Sequence, residues 1–492
     1  MSTDDPRPAE GQHVLVLAAN NLAHDTRILK QIDSLVRGGY QVSALAIADD
    51  AVPGHELENP NRHIYRFRTI REKKKNPLPL CPGTAEGLYD PLDAYFRLYD
   101  RASEDQEYMR KALRLQRAIS SLHWSRKVRK ERRRHHRELR TRMNNLIARD
   151  DSTRSAARFA LIAWYEAGAF GFVDTSSEFS MRIKDLGPPK VVHAHDAYTL
   201  TAGVMLSRRW GAKLVYDAHE YEPERSPPLP DKMKADFAVF EHRSISSADG
   251  LVTVSSSILD LYKARAPNID LNLIQNCPEL RLDPEEPLPG LRERIGLAPE
   301  SPLAVFVGLP TLGTRGLQVT LDALQMCPDV HLAILGPRWK AQDAELVAAT
   351  VEMGLSDRVH LLDPVRPHQV VSAIRDADLS ICLIQNVSLS YRFSMPNKLF
   401  EALVAGVPTI VSDFPDMGAL IRKHRAGLAV DETDPAAVAE AMTRILSDRA
   451  AFVPAGEARA ALEADCTWQG QERVLLDLYN RLLPPVSASK AS

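Results

Sequence analysis

Cysteine is scarce and scattered. The five in 492 residues (Cys81, Cys277, Cys327, Cys382, Cys466) form no C-x-x-C pair, which argues against a disulfide framework or a zinc cluster and points to a reducing compartment. A long apolar run is missing too: the longest uncharged stretch, Ser301–Thr314, is too short to cross a bilayer. The opening residues MSTDDPRP are acidic where a secretory signal would be basic and then apolar. The expectation is a cytoplasmic protein, soluble or peripheral on the inner face of a membrane. Net charge is nearly absent, at -2 from 62 basic and 64 acidic side chains. That disfavours a polyanionic partner unless the sum hides a local asymmetry. There is also no G-x-G-x-x-G fingerprint, Walker loop, G-x-S-x-G elbow or H-x-x-x-H pair, so dinucleotide, NTPase, covalent-hydrolase and zinc-enzyme chemistry all lose ground.

What is present is an α/β pattern in two series, with 44% hydrophobic residues to fill more than one core. His13–Ala19 is a continuous apolar run suited to a strand covered on both faces. A helix follows, with Asp25 at its acidic start, Ile28, Leu29, Ile32, Leu35 and Val36 at helical spacing, and Gly38-Gly39 as its stop. Strands are expected again at Val42–Ile47, Val191–Ala194, Leu214–Tyr216 and Leu251–Val254. A second series runs through Leu303–Val307, His331–Leu335, Val359–Leu362, Leu379–Ile384 and Thr409–Val411. Between them Pro278–Gly290, rich in proline and acid, reads as a linker. The expected architecture is two tandem doubly wound Rossmann-like domains facing a cleft: residues 13–285, residues 291–465, and a terminal helix over 466–484, with disordered ends at 1–12 and 485–492. Residues 71–188 carry almost no strand signal and are expected to form a helical insertion in the first domain. Within it, Arg110–Arg142 holds fourteen bases and two acids, a net of +12 that leaves -14 on the rest of the chain.

Ligands of such sheets bind outside the carboxyl ends of the strands, which selects the residues to watch. In SMPNKLFEALVAG (Ser394–Gly406), Pro396 suits the first turn of a helix, leaving the amides of Asn397 and Lys398 free for an anion. Lys398 adds a charge for a phosphate, and Glu401, a turn later, suits the vicinal hydroxyls of a ribose. Gly308 opens the loop after LAVFV, Arg315 is placed to clamp a diphosphate, and Gly336 makes a similar turn after the next strand. In the first domain His193, His195 and Asp196 follow one strand, and Asp217, His219 and Glu220 another. A metal is not expected there. These groups suit the orienting of a polyhydroxylated substrate, with His219 the candidate to contact reacting groups. Ser255–Ser257 and Asn276 read as caps.

The runs DTRILKQIDSLVRGGYQV, VVHAHD, LVYDAHE and ADGLVTVS, the RGL of Arg315–Leu317, and MPNKLFEALVAGVPTIVSD together resemble the retaining GT-B glycosyltransferases of family 4, over about residues 13–48 and 190–450. The resemblance implies a nucleotide-diphospho-sugar donor on the second domain and an acceptor on the first, near Asp25, Arg27, His195, Asp196, Asp217, His219 and Glu220. It further implies metal-independent, cofactor-free transfer with retention of configuration. It assigns Glu401 to the donor ribose, Arg315 to the diphosphate, His219 to the neighbourhood of the donor sugar, Asn397 and Lys398 to the donor loop, and Trp468–Leu483 to a helix returning to the first domain. Two positions depart from the pattern. The family's first acid falls on Phe393, so a contact to the sugar's hydroxyls is missing or supplied differently, by Ser394 or main-chain amides. An arginine common after the first glycine is Leu309. A nucleotide-sugar epimerase and a non-catalytic nucleotide-sugar-binding subunit are the alternatives. The basic segment Arg110–Arg142 is expected to meet an anionic membrane surface, where a lipid-linked acceptor would be found; nucleic acid is not expected because aromatics are sparse there.

Overall fold

The computed structural model describes residues 12–47, 55–67, 188–225, 244–280 and 288–483, together with 234, 237–238 and 241–242. Residues 71–187 of the expected insertion, including Arg110–Arg142, and the tail at 485–492 lie outside the described residues.

Buried apolar runs make two sheets. In the first, eight strands follow the order β3-β4-β2-β1-β5-β6-β7-β8: β1 (His13–Leu17), β2 (Gln41–Ile47), β3 (His55–Asn59), β4 (Arg62–Phe67), β5 (Val191–His195), β6 (Lys213–Ala218), β7 (Gly250–Thr253) and β8 (Asp270–Leu273). All pairs are parallel except the β3–β4 ribbon. The second sheet is wholly parallel, in the order β11-β10-β9-β12-β13-β14: β9 (Leu303–Val307), β10 (His331–Leu335), β11 (Val359–Leu362), β12 (Leu379–Cys382), β13 (Thr409–Ser412) and β14 (Gly427–Val430). Every residue of β1, β5 and β9 is buried, as expected of central strands covered by helices on both faces.

Local chemistry sets the first crossover. Asp25 caps the Thr26–Arg37 helix, its side chain accepting the Ile28 amide, and Ile28, Ile32 and Leu35 turn into the core beneath. Gly38 closes that helix and Gly39 takes φ 87°, turning the chain into β2. Two boundaries differ from the sequence expectation. β12 ends at Cys382, because the backbone of Ile384 leaves the ladder to bond the Ser412 hydroxyl at 2.8 Å in both directions. Pro396 is extended (ψ 144°) and precedes the Asn397–Ala405 helix, so Asn397 is its first residue.

The last described helix returns to the first domain. The Trp468–Leu482 helix places Trp468, Leu475, Leu478 and Tyr479 in the first-sheet core with Val14, Ile28 and Ile32. Two polar contacts fix it there: the Trp468 indole donates to the Ser34 hydroxyl at 2.8 Å, and the Tyr479 hydroxyl meets His193 Nδ1 at 2.9 Å. Both sheets thus present their carboxyl ends to one cleft.

Candidate functional site: a polar cleft between two sheets

The carboxyl ends of β5 and β6 build the first wall from a chain of ionisable groups. The Arg27 guanidinium grips buried Asp217 through two bonds of 3.1 and 2.7 Å and gives its third nitrogen to the Ile274 carbonyl at 2.8 Å. Gln31 adds a 2.7 Å bond to the same carboxylate. Burial alone would raise Asp217, but Arg27, His219 and His195 outweigh it and hold the carboxyl well below its usual range. His195 Nδ1 lies 3.4 Å from Asp217 and 3.0 Å from Nε2 of His219, whose Nδ1 lies 3.3 Å from Asp196. Burial, with Arg27 and His195, lowers His219 to about 4 against the pull of Asp217, so the ring is neutral at pH 7. Asp196 stands in the left-handed region at φ 59°, and burial, with Glu222 and Asp217 nearby, pushes its carboxyl well up.

His219 was the sequence's candidate for touching reacting groups. Both its ring nitrogens instead face side chains, Asp196 on one side and His195 on the other, while the residue borders the cleft. His193, His195 and Asp217 are close enough together to suggest a cation site. Both Asp217 oxygens already accept from Arg27 and Gln31, so a metal there would have to displace a bidentate guanidinium.

The opposite wall belongs to the second domain. Lys398, in the first turn of the Asn397–Ala405 helix, is only 6% exposed; its Nζ sits 4.1 Å from the centre of the Phe306 ring and has no hydrogen-bond partner among the described residues. Burial lowers this ammonium and Arg315 lowers it further, against Cys382 and Glu401, and no hydrogen-bond partner among the described residues meets it in the first turn of the helix. Burial pushes Glu401 up to about 7, with Lys30 and Lys398 pulling it back. Gly308 (φ 121°) and Gly336 pack backbone to backbone: a Cβ on Gly336 would stand 2.0 Å from the Gly308 carbonyl oxygen.

Between the walls lies a cavity of about 300 Å³. It brings together Asp25, Arg27, His219 and Glu220 from the first domain with Ser394 and Asn397 from the second. Gly308, Arg315, Gly336, Lys398 and Glu401 do not border this space, and neither do His195, Asp196 and Asp217. Sequence reasoning missed several participants. Lys30 and Gln31 share a helix face with Arg27, a spacing that could have flagged them. Lys30 bonds the Cys277 carbonyl beneath the Trp468 ring, and burial lowers it to about 8. Asn276, expected to cap a turn, borders the cavity, as do Ser390 and Tyr391. Of the serines expected to cap, Ser255 does so, accepting the Ile258 amide at 3.3 Å, whereas the Ser257 amide crosses to Asp416 of the second domain at 3.1 Å.

A family model described as a glycosyl transferase 4-like domain matches residues 24–276, and one described as glycosyl transferases group 1 matches residues 301–448. D-inositol 3-phosphate glycosyltransferases of Nocardia farcinica and Xylanimonas cellulosilytica are 27% and 28% identical, over 60% and 59% of this chain and 66% and 71% of their own. The chain thus spans just under two thirds of the first relative's length. Among solved structures, sucrose-phosphate synthase from Thermosynechococcus elongatus superposes with a TM-score of 0.62 at 16% identity, covering 96% of this chain and 99% of that one. Anabaena HepE in complex with UDP and glucose superposes at 0.57 with 14% identity, over 95% and 99%. These structural likenesses show a shared fold, two sheet domains about a cleft. With one family model on each sheet domain and that arrangement between them, the chain belongs to the GT-B glycosyltransferases of group 1.

Proposed function

We propose that this protein moves a sugar from a nucleotide-diphospho-sugar donor to a glycan or lipid-linked saccharide acceptor, with retention of configuration and without a metal. The observation that carries the reading is the buried ammonium of Lys398 in the first turn of a helix, without a hydrogen-bond partner among the described residues. An isolated buried cation is costly, and a bound anion relieves that cost. A diphosphate is the anion this arrangement suits. Breaking the glycosyl–phosphate bond leaves negative charge on the diphosphate, and Lys398, Arg315 and the amide end near Asn397 would stabilise that charge where it forms. That supplies the electrostatic work a divalent cation does elsewhere. In front-face transfer the C1–O bond to the diphosphate breaks as the bond from C1 to the acceptor oxygen forms, and the acceptor's proton passes to the leaving diphosphate oxygen. Glu401, half-buried a turn beyond Lys398, suits the donor ribose. The solved neighbour crystallised with UDP and glucose supports the donor class.

A donor-consumption assay across nucleotide sugars and acceptors, run with a chelator present, tests the proposal. Arg315→Ala and Glu401→Ala are each expected to lower turnover about 100-fold or more. Full activity in both variants overturns the assignment of these residues. Activity abolished by the chelator and restored by a divalent metal overturns metal independence. An altered nucleotide sugar released without any acceptor product would favour an epimerase instead.

A further inference from the structure

Two carboxylates border the cavity on the first-domain side, Asp25 and Glu220, and they are not equivalent. Asp25 uses both oxygens inside its own loop: Oδ1 accepts the Ile28 amide at 3.1 Å and Oδ2 the Asn20 side-chain amide at 2.7 Å. Glu220 spends only one. Its Oε2 accepts the Ser390 hydroxyl from the second domain at 3.0 Å, across the cleft, and its Oε1 has no hydrogen-bond or ion-pair partner among the described residues. Glu220 therefore brings to the cavity the carboxylate oxygen that is free to accept new hydrogen bonds.

Its partner loop explains why that matters. Ser390 is buried at 2% exposure in the short Leu389–Arg392 helix. Phe393, next in the chain, packs against the first-sheet core and brings no polar group to the cleft. The second-domain wall around Ser390, Ser394 and Asn397 offers hydroxyls and amides but no carboxylate among the residues bordering the cavity. Asn397 and Glu220 border the same cavity, so a sugar whose diphosphate lay at Asn397 would share that space with Glu220. The unengaged oxygen accepts only from a hydroxyl placed and turned toward it, which makes Glu220 a reader of hydroxyl position and orientation.

Resting on the glycosyl-transfer reading above, we propose that Glu220 is the specificity-determining carboxylate for the transferred sugar, reaching it from the first domain, and that Ser390 positions it across the cleft. The domain that receives the acceptor thereby also reads the donor's sugar, and only with the two domains together.

Binding measurements on the full chain test this. Affinities are compared for each UDP- and GDP-sugar and its bare nucleoside diphosphate, in the wild type, Glu220→Gln and Ser390→Ala. The sugar with the largest wild-type gain over its diphosphate serves as probe. Glu220→Gln is expected to lose about 10- to 100-fold in affinity for that nucleotide sugar, the range for hydrogen bonds to a charged group, and less than about 2-fold for the diphosphate. Ser390→Ala is expected to lose less but in the same selective sense, which keeps the test decisive if Glu220→Gln folds poorly. Equal losses for both ligands, or none, overturn the role of Glu220 while leaving glycosyl transfer intact. A wild type that binds no nucleotide overturns the transferase reading and this proposal with it.

Discussion

Individual residues in the cleft are governed by burial more than by type. Asp217 and Arg27 are 0% and 4% exposed, and the pair holds together the ends of β6 and the first helix. Removing one partner of such a pair leaves an uncompensated buried charge, so Asp217→Asn is expected to cost about 3–5 kcal/mol in urea unfolding at pH 7. The sign with pH follows from the lowered carboxyl. Asp217 contributes its stability above the unfolded value near 4, and that contribution is lost as pH falls toward the lower folded value. The difference between wild type and variant should therefore shrink below about pH 4. A difference that stays constant with pH would mean that packing, not charge, is what the substitution removed.

At the scale of elements, the short turn after β6 carries the clearest pH signature. Glu222, in the 3-10 turn Glu222–Glu224, is pushed up to about 8 by burial and by Glu220, with Arg225 opposing. The folded state then holds a proton between about pH 4.5 and 8 that the unfolded chain has released, so wild-type stability falls as pH rises through that window. Glu222→Gln removes this dependence. Its stability relative to wild type should grow by more than about 1 kcal/mol between pH 5 and pH 8 and level off above, as read from denaturant melts. A flat difference across that range would show that Glu222 titrates normally.

For the molecule as a whole, charge is divided between parts: a basic segment of +12 within a remainder of -14. Basic residues near anionic lipid contribute about 1 kcal/mol each before screening, so Arg110–Arg142 supplies a reason to propose a membrane surface as the meeting place with a lipid-linked acceptor. No helix among the described residues is long and apolar enough to cross a membrane. Full-length protein is expected to co-sediment with vesicles containing phosphatidylglycerol, to release as salt rises, and to lose most of that binding when Arg132–Arg134 are neutralised. Unchanged sedimentation in the neutralised variant would remove the membrane from the account.

Much of the fold was legible in the residues because each strand is a self-contained signal: HVLVL and LAVFV must be buried on both faces wherever they lie, and Asp25 and Gly38-Gly39 punctuate one helix locally. The proposed donor side was legible for a related reason, since Asn397, Lys398 and Glu401 share one short helix whose N-terminus and periodicity are visible in the sequence. Across the cleft the case differs. That both nitrogens of His219 are occupied, that Arg27 is consumed by a residue 190 positions away, and that Glu220 keeps one oxygen free with Ser390 on the other are facts of long-range contact. Hydrogen-bond satisfaction depends on which groups meet in space, and no local pattern encodes that. The sequence by itself determined two largely parallel sheets and the helix that starts at Asn397; only the tertiary structure, by setting which groups meet in space, decided which polar groups across the cleft already have hydrogen-bond partners and which do not.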